Sequence, residues 1–392
     1  MRRGAPRPQG GRLQEFLRER SPRLAGSGLA PASPGRRSRL HYPLFVASET
    51  TVIQVALARL LDGDDLSRAQ ARNVMSAIMQ GETTPAQIGA FLVALRVKGE
   101  TAEEIAGCAE AMREHALRVR PQRDDLVDTA GTGGDGAGTI NISTAAALVA
   151  AAAGAGVAKH GNRAVSSASG SADVLEALGF DLELPPERIE RSIDELGFGF
   201  LFAPSHHPAM RHAAAVRREL GTRTVFNVLG PLTNPAGARA QVVGVYSAAL
   251  VPTIAEVLAA LGARRAFVVH GAGGIDELSP AGHNLVCEVV DGAVRRREVD
   301  PLELGIPRCD PEDLRGGTPE ENAAAIRTIF TGETGGRRDA VLLNAAGAIA
   351  AGGHARDLRD GLGYAREAVD SGAAGERLEA LIAFSTASEA AA

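Results

Sequence analysis

The sequence predicts an α/β protein in which a small all-helical domain precedes a larger α/β domain with a mainly parallel sheet. Three observations carry this: a row of helix-start signals over residues 51–122, short apolar strands alternating with helices over 123–392, and a hairpin turn at Asp291-Gly292. At 392 residues the chain exceeds an average domain and can bury a substantial core.

In the helical part, Ser67-Arg-Ala-Gln70, Thr84-Pro-Ala-Gln87 and Thr101-Ala-Glu-Glu104 each offer a hydroxyl to a free N–H and a Gln or Glu able to reach back. Pro85 suits the first helical position, and Gly99 closes that helix. Val74, Met75, Ile78 and Met79, then Ile88, Phe91, Leu92 and Leu95, then Ile105, Cys108, Ala109 and Met112 lie at helical spacing and read as core stripes. Short helices of this size leave an apolar face for a second domain or subunit, and symmetric dimers are the commonest oligomer, so a homodimer is expected.

Beyond Arg123, the segments Leu126–Asp128, Val157–Lys159, Ala266–His270 and Ala340–Asn344 read as strands. Leu285–Val290 and Ala293–Val299 flank the Asp291-Gly292 turn and add one antiparallel excursion. Pro186–Leu196 and Pro208–Leu220 read as helices expected to return to the small domain. The Ala-rich stretch Ala145–Ala158 reads as a buried helix, interrupted by Gly154 and Gly156. It falls short of the roughly 20 residues needed to span a bilayer, and no other run approaches that length.

Composition narrows the function classes. Aromatics are 4% and Trp is absent, which argues against stacking recognition of nucleic acid. Cys108, Cys287 and Cys309 show no CxxC spacing, so neither a zinc site nor a disulfide framework is expected and a reducing cytoplasm fits best. Residues 1–48 hold ten Arg and two Glu, a local charge of +8, which leaves −13 on the rest of a chain with net charge −5. Such a segment is expected to be disordered. A transit peptide, a basic arm and a translation start placed too far upstream all remain open for it.

The most informative segment is Asp128-Thr-Ala-Gly-Thr-Gly-Gly-Asp-Gly-Ala-Gly-Thr-Ile-Asn-Ile-Ser-Thr144, between an apolar strand and an Ala-rich helix starting at Ser143 or Thr144. Gly131, Gly133, Gly134, Gly136 and Gly138 allow positive φ or close backbone approach, so amide N–H groups can converge on phosphate oxygens. The helix N-terminus favours an anion in the same place. No Gly-Lys-Ser/Thr closes the loop as in a P-loop, and its spacing is not the dinucleotide pattern.

A second donor-rich segment, Lys159-His-Gly-Asn-Arg-Ala-Val-Ser-Ser-Ala-Ser-Gly-Ser-Ala-Asp173, also leaves a strand and enters a helix near Ser171. Lys159 offers a mobile charge, Asn162 amide donors, and Ser166, Ser167 and Ser171 hydroxyls. His160 reads as a residue packed beside the loop, with no proton to transfer. Ligands of open α/β sheets bind beyond the carboxyl ends of strands, where both loops belong. A third loop, Gly271-Ala-Gly-Gly-Ile-Asp-Glu-Leu-Ser-Pro280, carries Asp276 and Glu277. By themselves they fit either a solvated acidic turn or a Mg²⁺ site completed by substrate phosphates.

Gly131-Thr-Gly-Gly-Asp135, Asn141-Ile-Ser-Thr144, Lys159-His-Gly-Asn-Arg163, Gly170-Ser-Ala-Asp173 and Asp276-Glu277, in this order, resemble the anthranilate phosphoribosyltransferase family. His207-Pro-Ala-Met-Arg211 and the run from Val216 to Pro235 extend the resemblance, which covers the chain from about Val52 onward. It implies the fold shared by nucleoside phosphorylases and these phosphoribosyltransferases, and transfer of a 5-phosphoribosyl group from phosphoribosyl pyrophosphate to the amine of anthranilate. It further implies that Gly131, Gly134, Asp135, Thr139, Asn141, Ile142, Ser143 and Thr144 surround the donor from one side. From the other would come Lys159, His160, Gly161, Asn162, Arg163, Ala164, Val165, Ser166, Ser167 and Ser171. Ser143, Asp276 and Glu277 would hold Mg²⁺, with Lys159, Asp276 and Glu277 the catalytic set. Gly131, Asn162 and Arg217 would receive anthranilate, Arg217 through its carboxylate.

Two alternatives are weaker on the residues. A pyrimidine nucleoside phosphorylase would show Ser and Thr after Lys-His, where this chain has Gly161-Asn-Arg163. A non-catalytic nucleic-acid-binding relative has no use for paired carboxylates, and the −13 charge opposes it.

Overall fold

The computed structural model describes residues 51–164 and 167–387. Residues 1–48, Val165 and Ser166 lie outside the described residues.

The chain opens with α1 (Val52–Leu61), α2 (Arg68–Gln80), α3 (Pro85–Lys98) and α4 (Ala102–Glu114). Ser67, Thr84 and Thr101 accept from the N–H groups of Gln70, Gln87 and Glu104, whose side chains bond back to the caps. All twelve residues of the expected stripes are buried. Glu104 does more than cap. Fully buried, it accepts from the N–H of Leu66 at 2.9 Å, the N–H of Thr101 at 2.8 Å and Lys98 Nζ at 3.0 Å. One carboxylate thus joins the entry to α2, the end of α3 and the start of α4.

Next come β1 (Val127–Gly131), α5 (Ile142–Ala152), β2 (Val157–Gly161), α6 (Ser171–Leu178), α7 (Pro186–Leu196) and β3 (Phe198–Phe202). The short α8 (Ala203–His206) leads to α9 (Arg211–Leu220), the short α10 (Phe226–Leu229), β4 (Ala240–Gly244), α11 (Leu250–Ala260) and β5 (Arg265–His270). Then follow β6 (Asn284–Val290), β7 (Ala293–Val299), α12 (Pro319–Phe330), α13 (Gly336–Gly352), α14 (Leu358–Asp370) and α15 (Ala373–Thr386). One sheet runs in the order β3-β2-β1-β4-β5-β6-β7, with β1 to β5 parallel and β6 and β7 antiparallel. Asp291 and Gly292 close the hairpin at φ 45° and 84°, the positive values a tight turn between twisted strands needs.

Alternate strand residues feed two cores. Val242, Phe267 and Val269 pack with α5 and α12 to α15, whereas Val243, Ala266 and Val268 pack with α11 and the first four helices. α4 lies on α11, so the helical part and one sheet face share a continuous core.

Several expectations change. Ala340–Asn344 is not a strand but part of α13, buried along nearly its whole length. A helix without a polar face has no period to read, so a short apolar window cannot separate it from a buried strand. Phe198–Phe202 and Ala240–Gly244 are strands that the sequence reading passed over. α5 begins at Ile142 rather than Ser143 and ends at Ala152, leaving Val157 to β2. Of the two helices expected on the small domain, α9 lies against α2 and α3, but α7 covers β3 and touches α15.

Glu104→Ala leaves the N–H groups of Leu66 and Thr101 without this acceptor, while Lys98 keeps Asp65 at 2.6 Å. It should cost about 2–4 kcal/mol, for two unsatisfied backbone donors and one lost charge contact. Urea unfolding measures this, and a loss under about 1 kcal/mol would contradict the role given to Glu104.

Candidate active site

Three central strands end in glycine at one edge of the sheet: Gly131 on β1, Gly161 on β2 and Gly244 on β4. A Cβ on Gly131 would lie 2.3 Å from Asp276 Oδ2, on Gly244 1.5 Å from the Asp276 carbonyl, and on Gly161 2.2 Å from Ser171 Oγ. The loops carrying Asp276 and Ser171 therefore rest on the strand ends with no room for a side chain between. Within the first loop, Gly133, Gly134, Gly136 and Gly138 adopt φ of 68°, 77°, 76° and 61°.

The loop amides are not all open. Gly133 N–H donates to Asp276 Oδ2 at 2.7 Å, and Ser143 N–H, in the first turn of α5, donates to Glu277 Oε1 at 3.1 Å. Two of the donors suited to phosphate are thus held by the acidic pair. Asp276 N–H in turn donates to Asp135 Oδ2 at 3.2 Å, which brings a third carboxylate close. Desolvation, then repulsion from Asp135, pushes Asp276 up to about 7. Desolvation, then Asp276, pushes Glu277 up to about 8.

Lys159 is fixed rather than mobile. Buried, its Nζ donates to the Thr129 carbonyl at 2.6 Å and lies 3.4 Å from Ser143 Oγ. Burial lowers its pKa, against the opposing pull of Asp128 and Glu277. Asp128, fully buried, accepts from Asn234 Nδ2 at 2.8 Å and from His160 N–H at 3.1 Å, and burial pushes it up to about 6. His160 packs beside the loop as expected. Its Nδ1 lies 3.1 Å from the Gly230 carbonyl, which can only accept, so the proton is on Nδ1. Burial pushes His160 down to about 3 and keeps it neutral.

The second loop folds on α6. Ser171 Oγ donates to the Asn162 carbonyl at 3.3 Å, Arg163 pairs with Asp173 and Glu176, and Ala164 N–H donates to Asp173 Oδ2 at 2.8 Å. Ser167 Oγ donates to the Ser169 carbonyl at 3.3 Å. Thr139 forms an antiparallel bridge with Arg315. Arg217, on α9, lies over the Phe226 ring at 5.0 Å, and burial lowers its pKa. Among the described residues its guanidinium meets no carboxylate.

Two contributors escaped the sequence reading. Arg223 donates to the Gly134 carbonyl and stacks on Tyr246 at 3.9 Å, and Asn322 bonds Asn141 at 2.8 Å. Nothing local distinguishes Arg223 from a surface arginine or Asn322 from an ordinary helical residue. Among the described residues no group of three or more His, Cys, Asp or Glu side chains encloses an ion by itself. Asp276 and Glu277 could hold one only with ligands from a substrate.

This edge of a parallel sheet, with a glycine loop, a helix N-terminus and paired acids, is chemically suited to an anion such as phosphate together with a cation. The profile of the glycosyl transferase family α/β domain matches residues 123–375, and that of the same family's helical bundle domain matches residues 54–116. Anthranilate phosphoribosyltransferase of Anaeromyxobacter dehalogenans (strain 2CP-C) is 59% identical over 86% of this chain and 99% of its own. The crystal structure of the enzyme from Thermus thermophilus is 52% identical, with a TM-score of 0.81 over 85% of this chain and 99% of that one. The enzyme of Saccharomyces cerevisiae, in complex with PRPP and Mg, is 30% identical with a TM-score of 0.78 over 86% and 99%. The chain belongs to the anthranilate phosphoribosyltransferase family.

Because Asp276 and Glu277 are raised above their unfolded values, each costs stability as it ionises. The ligand-free protein therefore loses stability as pH climbs from the ordinary carboxylate range through about 7 and 8. Asp276→Asn keeps an acceptor for Gly133 and removes the charge. Its melting temperature should exceed that of the parent by a few degrees near pH 9, with a smaller gain near pH 5, at about 2–4 °C per kcal/mol. Equal shifts at the two pH values would contradict the raised pKa.

Proposed function

We infer that this chain joins the 5-phosphoribosyl group of phosphoribosyl pyrophosphate to the amine of anthranilate, releasing pyrophosphate, as the second step from chorismate to tryptophan. The observation that carries the reading is the glycine edge of the sheet, where the first turn of α5 meets the loop from Gly131 to Gly138 and the acids Asp276 and Glu277.

The donor is assigned to Gly131, Gly134, Asp135, Thr139 and residues 141–144 on one side, and to Lys159 through Ser167 with Ser171 on the other. Thr144 supports this: its Oγ1 is buried and has no hydrogen-bond partner among the described residues, which leaves it for a ligand oxygen. Lys159 adds a fixed positive charge beneath the first turn of α5, where negative charge grows as pyrophosphate departs. Arg217 is assigned to the anthranilate carboxylate, as a partly buried cation without a counter-charge among the described residues, and Gly131 and Asn162 to the same substrate. The amine is nucleophilic when neutral, so no side chain is assigned as general base.

Mg²⁺ fits the acidic pair. Two desolvated carboxylates repelling each other and Asp135 are the environment in which a divalent cation replaces protons. Asp276, Glu277 and Ser143 would hold the ion, and it would supply charge neutralisation for the leaving pyrophosphate.

A homodimer belongs to the same reading. Val52 and Val55 on α1 and Val93 and Val97 on α3 are exposed, Val97 at 81%, and these two helices pack on each other. A cytoplasmic setting suits the three free thiols.

Loss of anthranilate fluorescence, followed with donor and Mg²⁺ present or omitted, tests the activity and should require both. Asp276→Asn with Glu277→Gln should lower turnover by about 100-fold or more in a folded protein, and near-parental turnover at limiting Mg²⁺ would refute the assignment. Arg217→Ala should raise KM for anthranilate by about tenfold and leave KM for the donor within about twofold, whereas equal rises would reject the carboxylate contact. In light scattering, Val97→Glu should shift the protein from dimer to monomer. A parent that is already monomeric would end the dimer reading.

A further inference from the structure

We propose that Asn322 is a positioning residue for the phosphoribosyl donor, acting by locking the side chain of Asn141 at the N-cap of α5. The proposal rests on the reading that places the donor's phosphates at the start of that helix.

Asn322 lies on α12, far along the chain from the glycine loop, and is 2% exposed. Its Oδ1 accepts from Gly317 N–H at 2.8 Å, and because that donor can face only oxygen, its Nδ2 must face Asn141. Asn322 Nδ2 donates to Asn141 Oδ1 at 2.8 Å. Ser169 Oγ donates to the same oxygen at 3.0 Å, so both of its acceptor positions are filled by protein donors. Asn141 Nδ2 donates to the Ser169 carbonyl at 3.1 Å. An amide carries two N–H bonds, and among the described residues the second on Asn141 has no acceptor. With the oxygen fixed, this spare donor cannot exchange places with it and stays available to an anion at the helix start.

The anchor is firm. Gly317 follows Gly316, whose N–H donates to the Gly138 carbonyl at 2.8 Å, and Ile140 N–H donates to the Leu314 carbonyl at 3.0 Å. A Cβ on Gly316 would lie 2.5 Å from Asn322 Oδ1 and 2.8 Å from Ile140 Cα, so the turn sits tightly between the two. Asn322 thus couples the far end of the glycine loop to the cap residue through one planar amide. Without its donor, the Asn141 amide keeps only its two bonds to Ser169 and loses its tie to α12, so the spare N–H is held less firmly at the helix start.

Steady-state kinetics of Asn322→Leu, Asn322→Asp, Asn141→Ala and the Asn141→Ala/Asn322→Leu double variant test this. Asn322→Leu should raise KM for phosphoribosyl pyrophosphate by about tenfold, the scale of one hydrogen bond to a charged group. KM for anthranilate and kcat should stay within about twofold. Asn322→Asp keeps the acceptor for Gly317, loses the donor, and should move the same constant in the same direction even if the leucine variant folds poorly. The double variant should be no worse than Asn141→Ala alone, because Asn322 acts through that residue. Multiplying effects, equal rises in both KM values, or an unchanged donor KM in a folded Asn322→Asp protein would overturn the proposal. If Asn141→Ala itself leaves the donor KM unchanged, the placing of the donor at α5 falls as well. If Asn141→Ala raises it and the Asn322 variants do not, only the positioning role falls.

Discussion

Asp276 sits so close on the ends of β1 and β4 that neither Gly131 nor Gly244 can carry a Cβ. The loop after β5 therefore lies directly on the sheet edge, and its two carboxylates reach the amides of Gly133 and Ser143. In the ligand-free protein these acids serve as internal acceptors for the loop amides. They bond the exposed Gly133 N–H and the half-buried Ser143 N–H, at the expense of holding three carboxylates close together. A cradle with its donors already satisfied keeps its shape before substrate arrives, and the repulsion stored in it favours a divalent cation.

The charge beneath the cradle follows from the same arrangement. Lys159 lies between Asp128 and Glu277, and Asp128 is anchored by Asn234 and by the His160 amide. Burying this set is costly unless each group is paired. The carboxylates ease the desolvation of Lys159, and Lys159 lowers the cost of ionising both. The helical part contributes through α9, which leans on α2 and α3 and carries Arg217.

What could be read in the sequence follows the range of the interactions. The capping boxes at Ser67, Thr84 and Thr101 close within four residues, so their residue types announced them. The Asp291-Gly292 turn is local in the same sense. Ala340–Asn344 reads as a strand because α13 is buried on every side from Ala340 to Gly352 and shows no helical period there. At the site, glycine-rich loops after strands marked where phosphates could bind. That Gly133 and Ser143 are already bonded to Asp276 and Glu277 could not be read, because the partners stand 143 and 134 residues apart. Likewise Glu104 was legible as a cap, while its bonds to Leu66 and Lys98 depend on how the helices pack.

If Asp276 and Glu277 hold protons near neutrality, binding of Mg²⁺ and the donor at this edge should release them. Calorimetric titration of the Mg²⁺-loaded donor near pH 7, repeated in buffers of different ionisation enthalpy, counts those protons directly. With the donor's own ionisation removed by reference to the Asp276→Asn/Glu277→Gln variant, the parent should release about one proton per site. Equal proton counts for parent and variant, with binding intact in both, would contradict the account.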